Sequence, residues 1–171
     1  VAAFLNLGRD HLDFHGDLEA YFEAKARMFD ALRPPQIAVL SADDPRGAVL
    51  ARRTRTERIS FGRAPESDVR IEDERCRIDG SSAVLRTGGR RIEVRTPLPG
   101  RFHLENAAAA AACCTALGVS DAAIVEGLAS LASVPGRTER IAAGQPFAVL
   151  VDFAHTEQAL ARLLDGAREI V

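Results

Sequence analysis

The chain has 171 residues, 47% hydrophobic and 27% charged, with a formal net charge of −2 and a pI near 6.1. That composition belongs to a folded, water-soluble protein, long enough for one core or for one domain and part of another. Near-neutral charge with 5% aromatics gives no electrostatic basis for nucleic-acid binding, and no apolar run approaches the roughly 18–20 residues of a membrane span. Val1 to Leu7 is a mostly apolar run ended by Gly8, which predicts a buried strand. A chain that opens on such a strand, without an initiating Met, reads as a piece of something longer. Gly8 to Gly16 is a polar loop holding His11, His15, Asp10 and Asp13. Asp17 suits the N-cap of a helix running to about Leu32, and Pro34-Pro35 stops it. Ile37 to Leu40 predicts a second buried strand, and Asp43-Asp44-Pro45 starts a short helix to about Arg53, with Pro45 suiting its first turn.

From Arg58 to Pro97 the apolar period becomes two, carried by Ile59 and Phe61, Val69 and Ile71, Val84, then Ile92 and Val94. Asp79-Gly80 and Gly88-Gly89 supply turns, so this stretch predicts an antiparallel meander attached to an α/β domain. Leu104 to Leu117 is an Ala-rich helix closed by Gly118, and Ser120 caps another helix that carries Ile124, Leu128 and Leu131 on one face. Phe147 to Ala154 (FAVLVDFA) predicts a strong buried strand, and Thr156 caps a final helix that runs to Val171. A domain boundary is expected near residues 140–146. Three cysteines, with Cys113 and Cys114 adjacent, make neither a disulfide framework nor a zinc spacing. No secretory leader opens the chain, and a reducing cytoplasm fits best.

Of the 22 basic residues only Lys25 is a lysine. With Leu18, Tyr21, Phe22, Met28, Phe29 and Leu32 it completes an apolar stripe, which predicts an inward-facing amine. Such an amine either snorkels and pairs with a nearby Asp, or is desolvated into a nucleophile that adds CO₂ and offers carbamate oxygens to Mg²⁺. His11 follows a strand end, where open α/β sheets place their ligands. It is either a metal ligand oriented by Asp10 or Asp13, or a hydrogen-bonded surface group, while His15 reads as structural. Asp152 ends the FAVLVDFA run and suits a nucleotide contact or a helix cap. Arg137 and Arg140 suit phosphate or plain solvent, and Asn106 suits a base edge or a backbone cap. There is no GxxxxGK[ST] loop, G-x-S-x-G elbow or H-E-x-x-H in these residues.

Taken in order, FLNLGRDHLDFHGD at 4–17, Tyr21 to Lys25, LPGRF at 98–102, Glu105-Asn106-Ala107, Pro135-Gly136-Arg137 and VDFAHT at 151–156 resemble the Mur ligases, most closely the MurE branch that adds the third peptide residue. The resemblance covers nearly the whole chain, and the RDHLDFHGD stretch with a lysine fourteen residues after His11 is its most specific part. It implies an α/β fold: the C-terminal half of a central, P-loop-type ATPase domain with an antiparallel meander (residues 1–143), then the first β–α unit of a Rossmann-like C-terminal domain (144–171). It also implies an ATP- and Mg²⁺-dependent, cytoplasmic ligase, monomeric when whole, that activates UDP-N-acetylmuramoyl-L-alanyl-D-glutamate as an acyl phosphate. A diamino acid, meso-diaminopimelate by default, is then joined to it in peptidoglycan precursor synthesis. By the family pattern Lys25 is the carbamylated lysine and His11 its partner at a Mg²⁺, Asn106 meets adenine, Arg137 the phosphates and Asp152 the ribose. His103 departs from the family, standing where asparagine is common, and Glu157 replaces a proline. The phosphate loop, a uridine-binding domain and the motif that selects the diamino acid are expected outside these residues, so the chain alone is expected to be inactive. The alternatives are a cyanophycin-synthetase-like or folylpolyglutamate-synthetase-like ligase, or a non-catalytic module that kept the fold.

Overall fold

The computed structural model describes residues 1–170. Six strands form one sheet in sequence order: β1 (Ala2–Phe4), β2 (Ile37–Ser41), β3 (Glu57–Gly62), β4 (Val69–Arg77), β5 (Gly80–Thr87) and β6 (Arg90–Thr96). β1, β2 and β3 are parallel, and β4, β5 and β6 are antiparallel. The two halves meet where β3 runs parallel to β4 over only Phe61–Val69 and Gly62–Arg70. The expected meander therefore begins one strand later than its alternation suggests. Ile59 and Phe61 share the period of the hairpins, but their strand pairs in parallel on both sides.

Helices cover both faces of the parallel half. α2 (Leu18–Asp30) and α3 (Pro45–Arg53) pack on one face, where Phe22, Ala26, Phe29 and Leu50 close over Phe4, Ala38 and Leu40. α4 (Arg101–Ala116) and α5 (Asp121–Ser130) cover the opposite face, on Val39, Phe61, Leu85 and Val94. Within β2 the side chains alternate, Ala38 and Leu40 to one core and Val39 to the other, as a strand buried on both faces requires. The alanines of α4 are small enough to lie flat on the sheet, and Ala108 and Ala112 are fully buried.

Three helix starts follow the expected chemistry. The Asp17 carboxylate accepts from Ala20 N, the Asp44 carboxylate from Arg46 N, and the Ser120 hydroxyl from Ala123 N. Asp44 also accepts from Leu7 N at 2.9 Å, which anchors the loop after β1 to the start of α3. Gly47 lets α3 approach the end of β2: a Cβ there would stand 1.9 Å from the Ser41 carbonyl oxygen.

Other expectations are corrected. Leu12–His15 forms a short helix, α1, inside the predicted loop. α4 starts three residues before Leu104, because Gly100 turns the chain with φ 106° and Arg101 already enters the helix. The FAVLVDFA run yields only β8 (Leu150–Val151), paired with β7 (Glu139–Arg140) in a separate two-stranded sheet. Phe147 and Phe153, which flank it, stay largely exposed. α6 spans Glu157–Ile170; the predicted continuation to Val171 lies outside the described residues.

Candidate active site

Two of the cavities that border α6 hold the candidate residues. The larger, about 550 Å³, is walled by Leu98, Ala107, Leu128, Leu131 and Val134, with His103, Asn106, Arg137, Asp152 and Arg162 as its polar or charged members after Thr96. Apolar walls with a few converging polar groups, at this volume, are what small-molecule sites present. The fold assembles it from remote segments. His103 and Asn106 stand one turn apart on α4, so both reach the same side.

The start of α4 is held by charge. Arg63 donates through Nε and Nη2 to both oxygens of Glu74, at 2.6 and 2.7 Å, and through Nη1 to Glu105 at 2.5 Å. Glu105 precedes Asn106, so this bridge from the residue after β3 to the helix ties down the cavity wall. Burial pushes the Glu74 carboxyl up, but the hydrogen bonds and charge of Arg63, with Arg101, outweigh it and hold the group below its ordinary range. The Glu74 hydrogen bonds in turn raise the Arg63 guanidinium.

Opposite α4, Gly136 (φ 66°) turns the chain, and Phe153 N donates to its carbonyl at 2.8 Å. The Arg137 guanidinium lies over the Phe153 ring, 5.5 Å from its centroid. Thr138 follows in the left-handed region (φ 49°), a conformation a β-branched residue rarely holds, and is buried. Asp152 holds it there: Oδ2 accepts from Thr138 N at 2.6 Å and from Thr138 Oγ1 at 3.0 Å, and Oδ1 accepts from Ala154 N at 2.8 Å. Asp152 is thus a clasp within the chain as well as a cavity residue.

His103 is 5% exposed, and neither ring nitrogen has a hydrogen-bond partner. Burial lowers its pKa, against the opposing pull of the Arg137 backbone and the Asp152 charge, so the ring is neutral near pH 7. The sequence marks His103 only as a departure from a family pattern. That it is sealed and unpartnered depends on where the sheet, α4 and the loop before Thr138 meet, which no local pattern encodes.

The second cavity, about 260 Å³, lies at the end of β1 and is lined by Asn6, Asp10, Tyr21, Lys25, Gln158 and Arg162. Arg162 therefore borders both cavities, a role with no signal in the sequence. Lys25 is half-buried rather than inward-facing, which corrects the predicted stripe. The buried line is Phe22, Ala26 and Phe29; a residue three after Phe22 sits about 60° round the helix from it, at the edge of the core. Its Nζ lies over the Tyr21 ring, 4.6 Å from the centroid, while Met28, also expected on the stripe, is 50% exposed. His11 has a left-handed backbone (φ 55°) and an exposed ring facing Tyr21 edge-on at 6.1 Å; His15 stacks on the same Tyr21 at 4.6 Å. Asp10 pairs with His11 at 3.6 Å and lies 3.9 Å from His155. Lys25 and His11 are thus gathered around one tyrosine. Among the described residues no three His, Cys, Asp or Glu side chains form a cluster able to hold a metal ion. A free amine is no ligand for a hard cation, whereas a carbamate on Lys25 would bring two oxygens to a cavity that Asp10 also lines.

No helix among the described residues is long and apolar enough to cross a membrane. The family model of the Mur ligase middle domain matches residues 1–114. Among curated relatives, the UDP-N-acetylmuramoyl-L-alanyl-D-glutamate–2,6-diaminopimelate ligase of Solibacter usitatus is 42% identical over 170 residues, 98% of this chain and 34% of that protein. The ligase of the same name from Geobacter metallireducens is 43% identical over 176 residues, 99% of this chain and 34% of its own. The chain thus spans about a third of the length of these relatives. A solved 2,6-diaminopimelate ligase of that name superposes with a TM-score of 0.81 at 31% identity, over 99% of this chain and 36% of its own. MurF from Acinetobacter baumannii superposes at 0.89 with 25% identity, over 99% and 37%. A half-parallel, half-antiparallel sheet, a cavity bordered by α4 and Arg137, and a middle-domain match across two thirds of the residues lead to one assignment: the chain belongs to the Mur ligase family.

Proposed function

We propose that the chain is the nucleotide-side part of a MurE-type ligase, cytoplasmic and monomeric when whole. That enzyme joins a diamino acid, meso-diaminopimelate, to UDP-N-acetylmuramoyl-L-alanyl-D-glutamate at the expense of ATP. The observation that carries this reading is that Asn106, Arg137 and Asp152, from three separate segments, border one apolar cavity. In this reading the adenine ring lies between the aliphatic walls with its polar edge on Asn106. Asp152 meets the ribose, and Arg137 offsets charge on the phosphates. ATP transfers its terminal phosphoryl group to the D-Glu side-chain carboxylate, and the incoming amine displaces phosphate through a tetrahedral intermediate. Lys25 as its carbamate, with His11, would hold Mg²⁺, which supplies neutralisation of phosphoryl charge. The chain then divides into part of a central domain (1–143) and the opening of a C-terminal domain (144–171), with β7 and β8 paired across that boundary.

The test is kinetic and uses the whole ligase. Asn106→Ala raises KM for ATP several-fold and leaves KM for the diamino acid unchanged. Lys25→Ala abolishes most ligation and recovers part of it with added short carboxylates. An Asn106→Ala enzyme with unchanged KM for ATP refutes the reading of the cavity, and a fully active Lys25→Ala enzyme refutes the metal role. The 171-residue chain alone shows no ligation, since it has no phosphate loop; turnover by it refutes the mechanism.

A further inference from the structure

The antiparallel half of the sheet has a covered face and an open one. Ile71, Leu85 and Ile92 pack with Leu104 and Ala108 of α4 and Ile124 of α5, so the alternate residues of β4, β5 and β6 point the other way. On that open side lies a cavity of about 540 Å³ that shares no lining residue with the two cavities of the candidate active site. One row of residues crosses it in register: Arg75 of β4 lies opposite Ser82 of β5, and Ser82 lies opposite Arg95 of β6. Directly opposite residues share a face, so two guanidinium side chains flank one hydroxyl, and all three residues line the cavity.

A β-bulge sets this row. Glu72 pairs with Val84, and in an unbroken antiparallel register Glu74 would fall opposite Ser82. The register shifts instead between Glu72 and Arg75, with Asp73 in the left-handed region (φ 52°). Glu74 leaves the row for Arg63 and Arg101, and Arg75 takes its place. The bulge thus exchanges an acid for a base beside Ser82. Elsewhere on these strands charge is matched: Arg70, Arg77, Arg86, Arg90 and Arg91 each pair with a carboxylate. Among the described residues Arg75 and Arg95 have no such partner. Two like charges on one row repel each other, and an anion held between them removes that repulsion.

We propose that Arg75, Ser82 and Arg95 form a binding site for a tetrahedral oxyanion, a phosphate group taken up free or as a monoester. Two guanidinium forks and a hydroxyl present more donors than the two oxygens of a carboxylate accept in good geometry, whereas a phosphate group offers three or more acceptor oxygens. The next row, Glu72–Val84–Glu93, carries acids on the same face, so the positive potential is confined to the one row that lacks them.

The experiment is ¹H–¹⁵N NMR of the arginine Nε–H groups in the 171-residue chain, titrated separately with inorganic phosphate, methyl phosphate and acetate, with chloride holding the ionic strength constant. Arg75→Gln and Arg95→Gln assign the two signals by their loss, and the amide spectrum of each variant reports the retained fold at these exposed positions. With phosphate the Arg75 and Arg95 signals are expected to move together along one saturating curve, while those of Arg70, Arg86 and Arg91 stay in place. Either Gln variant is expected to weaken phosphate about five- to tenfold. Arg95→Glu, which gives Arg75 a carboxylate partner, is expected to abolish the saturable shift. Methyl phosphate bound as tightly as phosphate identifies the monoester as a ligand, and weaker binding identifies the free anion; both support the site. Acetate bound as tightly as phosphate overturns the proposal, because the site then does not select a tetrahedral group. Arginine signals that all drift together without saturating, or a Gln variant with the affinity of the parent, reveal only screening of a charged surface and overturn it too.

Discussion

Two glycines in helices, Gly47 in α3 and Gly127 in α5, allow a paired test of the packing. Alanine is favoured over glycine in a helix by about 1 kcal/mol, so propensity alone stabilises both substitutions. The surroundings differ. A Cβ at Gly127 meets nothing within 4 Å, whereas one at Gly47 stands 1.9 Å from the Ser41 carbonyl oxygen and 3.0 Å from its carbon. Relieving that overlap requires α3 or β2 to move by roughly 1 Å or more, since Cβ contacts below 3.0 Å do not occur. α3 is not free to move: Leu50 is fully buried, and Asp44 ties the helix start to Leu7. Overpacking against backbone belongs at the upper end of the usual range, about 3 kcal/mol, which leaves a net loss of about 2 kcal/mol for Gly47→Ala. Gly127→Ala gains about 1 kcal/mol. At roughly 2–4 °C per kcal/mol for a chain of this size, Tm falls by about 4–8 °C in the first variant and rises by about 2–4 °C in the second. Urea unfolding of both variants beside the parent measures the difference in midpoint at constant slope. A Gly47→Ala protein as stable as the parent would refute the close approach of α3 to β2.

The remaining predictions concern charge and capping. Arg63→Met strands Glu74 and Glu105 at the start of α4 and costs about 2 kcal/mol, between the values for exposed and buried pairs. Because the folded pKa of Glu74 is depressed, its contribution is present above the usual carboxylate value of 4.5 and is lost as pH falls through the folded value. Stability measured against pH should therefore fall less steeply on the acid side in Arg63→Met than in the parent. His103 has the same sign for a different reason: its folded pKa lies below 6.5, so the unfolded chain takes up the proton first and stability declines as pH drops below 6.5. That decline is expected to vanish in His103→Phe, with Arg137 and Asp152, the charged groups beside the ring, left in place; an unchanged slope counts against a buried neutral imidazole. Asp44→Ala removes the cap of α3 and the anchor of Leu7 together and is expected to cost about 1–2 kcal/mol, read as a lower urea midpoint.

The helix starts were legible because capping is local chemistry: Asp17, Asp44 and Ser120 each sit within three residues of the amide they serve. Partner choice is not local. β3 alternates like its hairpin neighbours and yet runs parallel, because the direction of a strand depends on the connections around it rather than on its own residues. Lys25 shows the limit of a helical period: seven compatible positions outline a stripe, but which of them are covered depends on where β1 and β2 lie beneath the helix. Asn106, Arg137 and Asp152 stand in motifs that the sequence displays, while the cavity they border forms only where α4, the end of α5, the segment after β8 and α6 converge. Arg162 carried no such motif, and its place between two cavities follows only from the docking of α6.

The clasp at Asp152 sets a limit on stoichiometry. A carboxylate offers about four lone-pair positions, and three are already engaged: two on Oδ2 by Thr138, one on Oδ1 by Ala154. One position remains, on Oδ1. A vicinal diol such as that of a ribose can therefore place a single hydroxyl on this side chain while Thr138 keeps its left-handed turn. Gripping both hydroxyls would release Thr138, and with it the approach to β7.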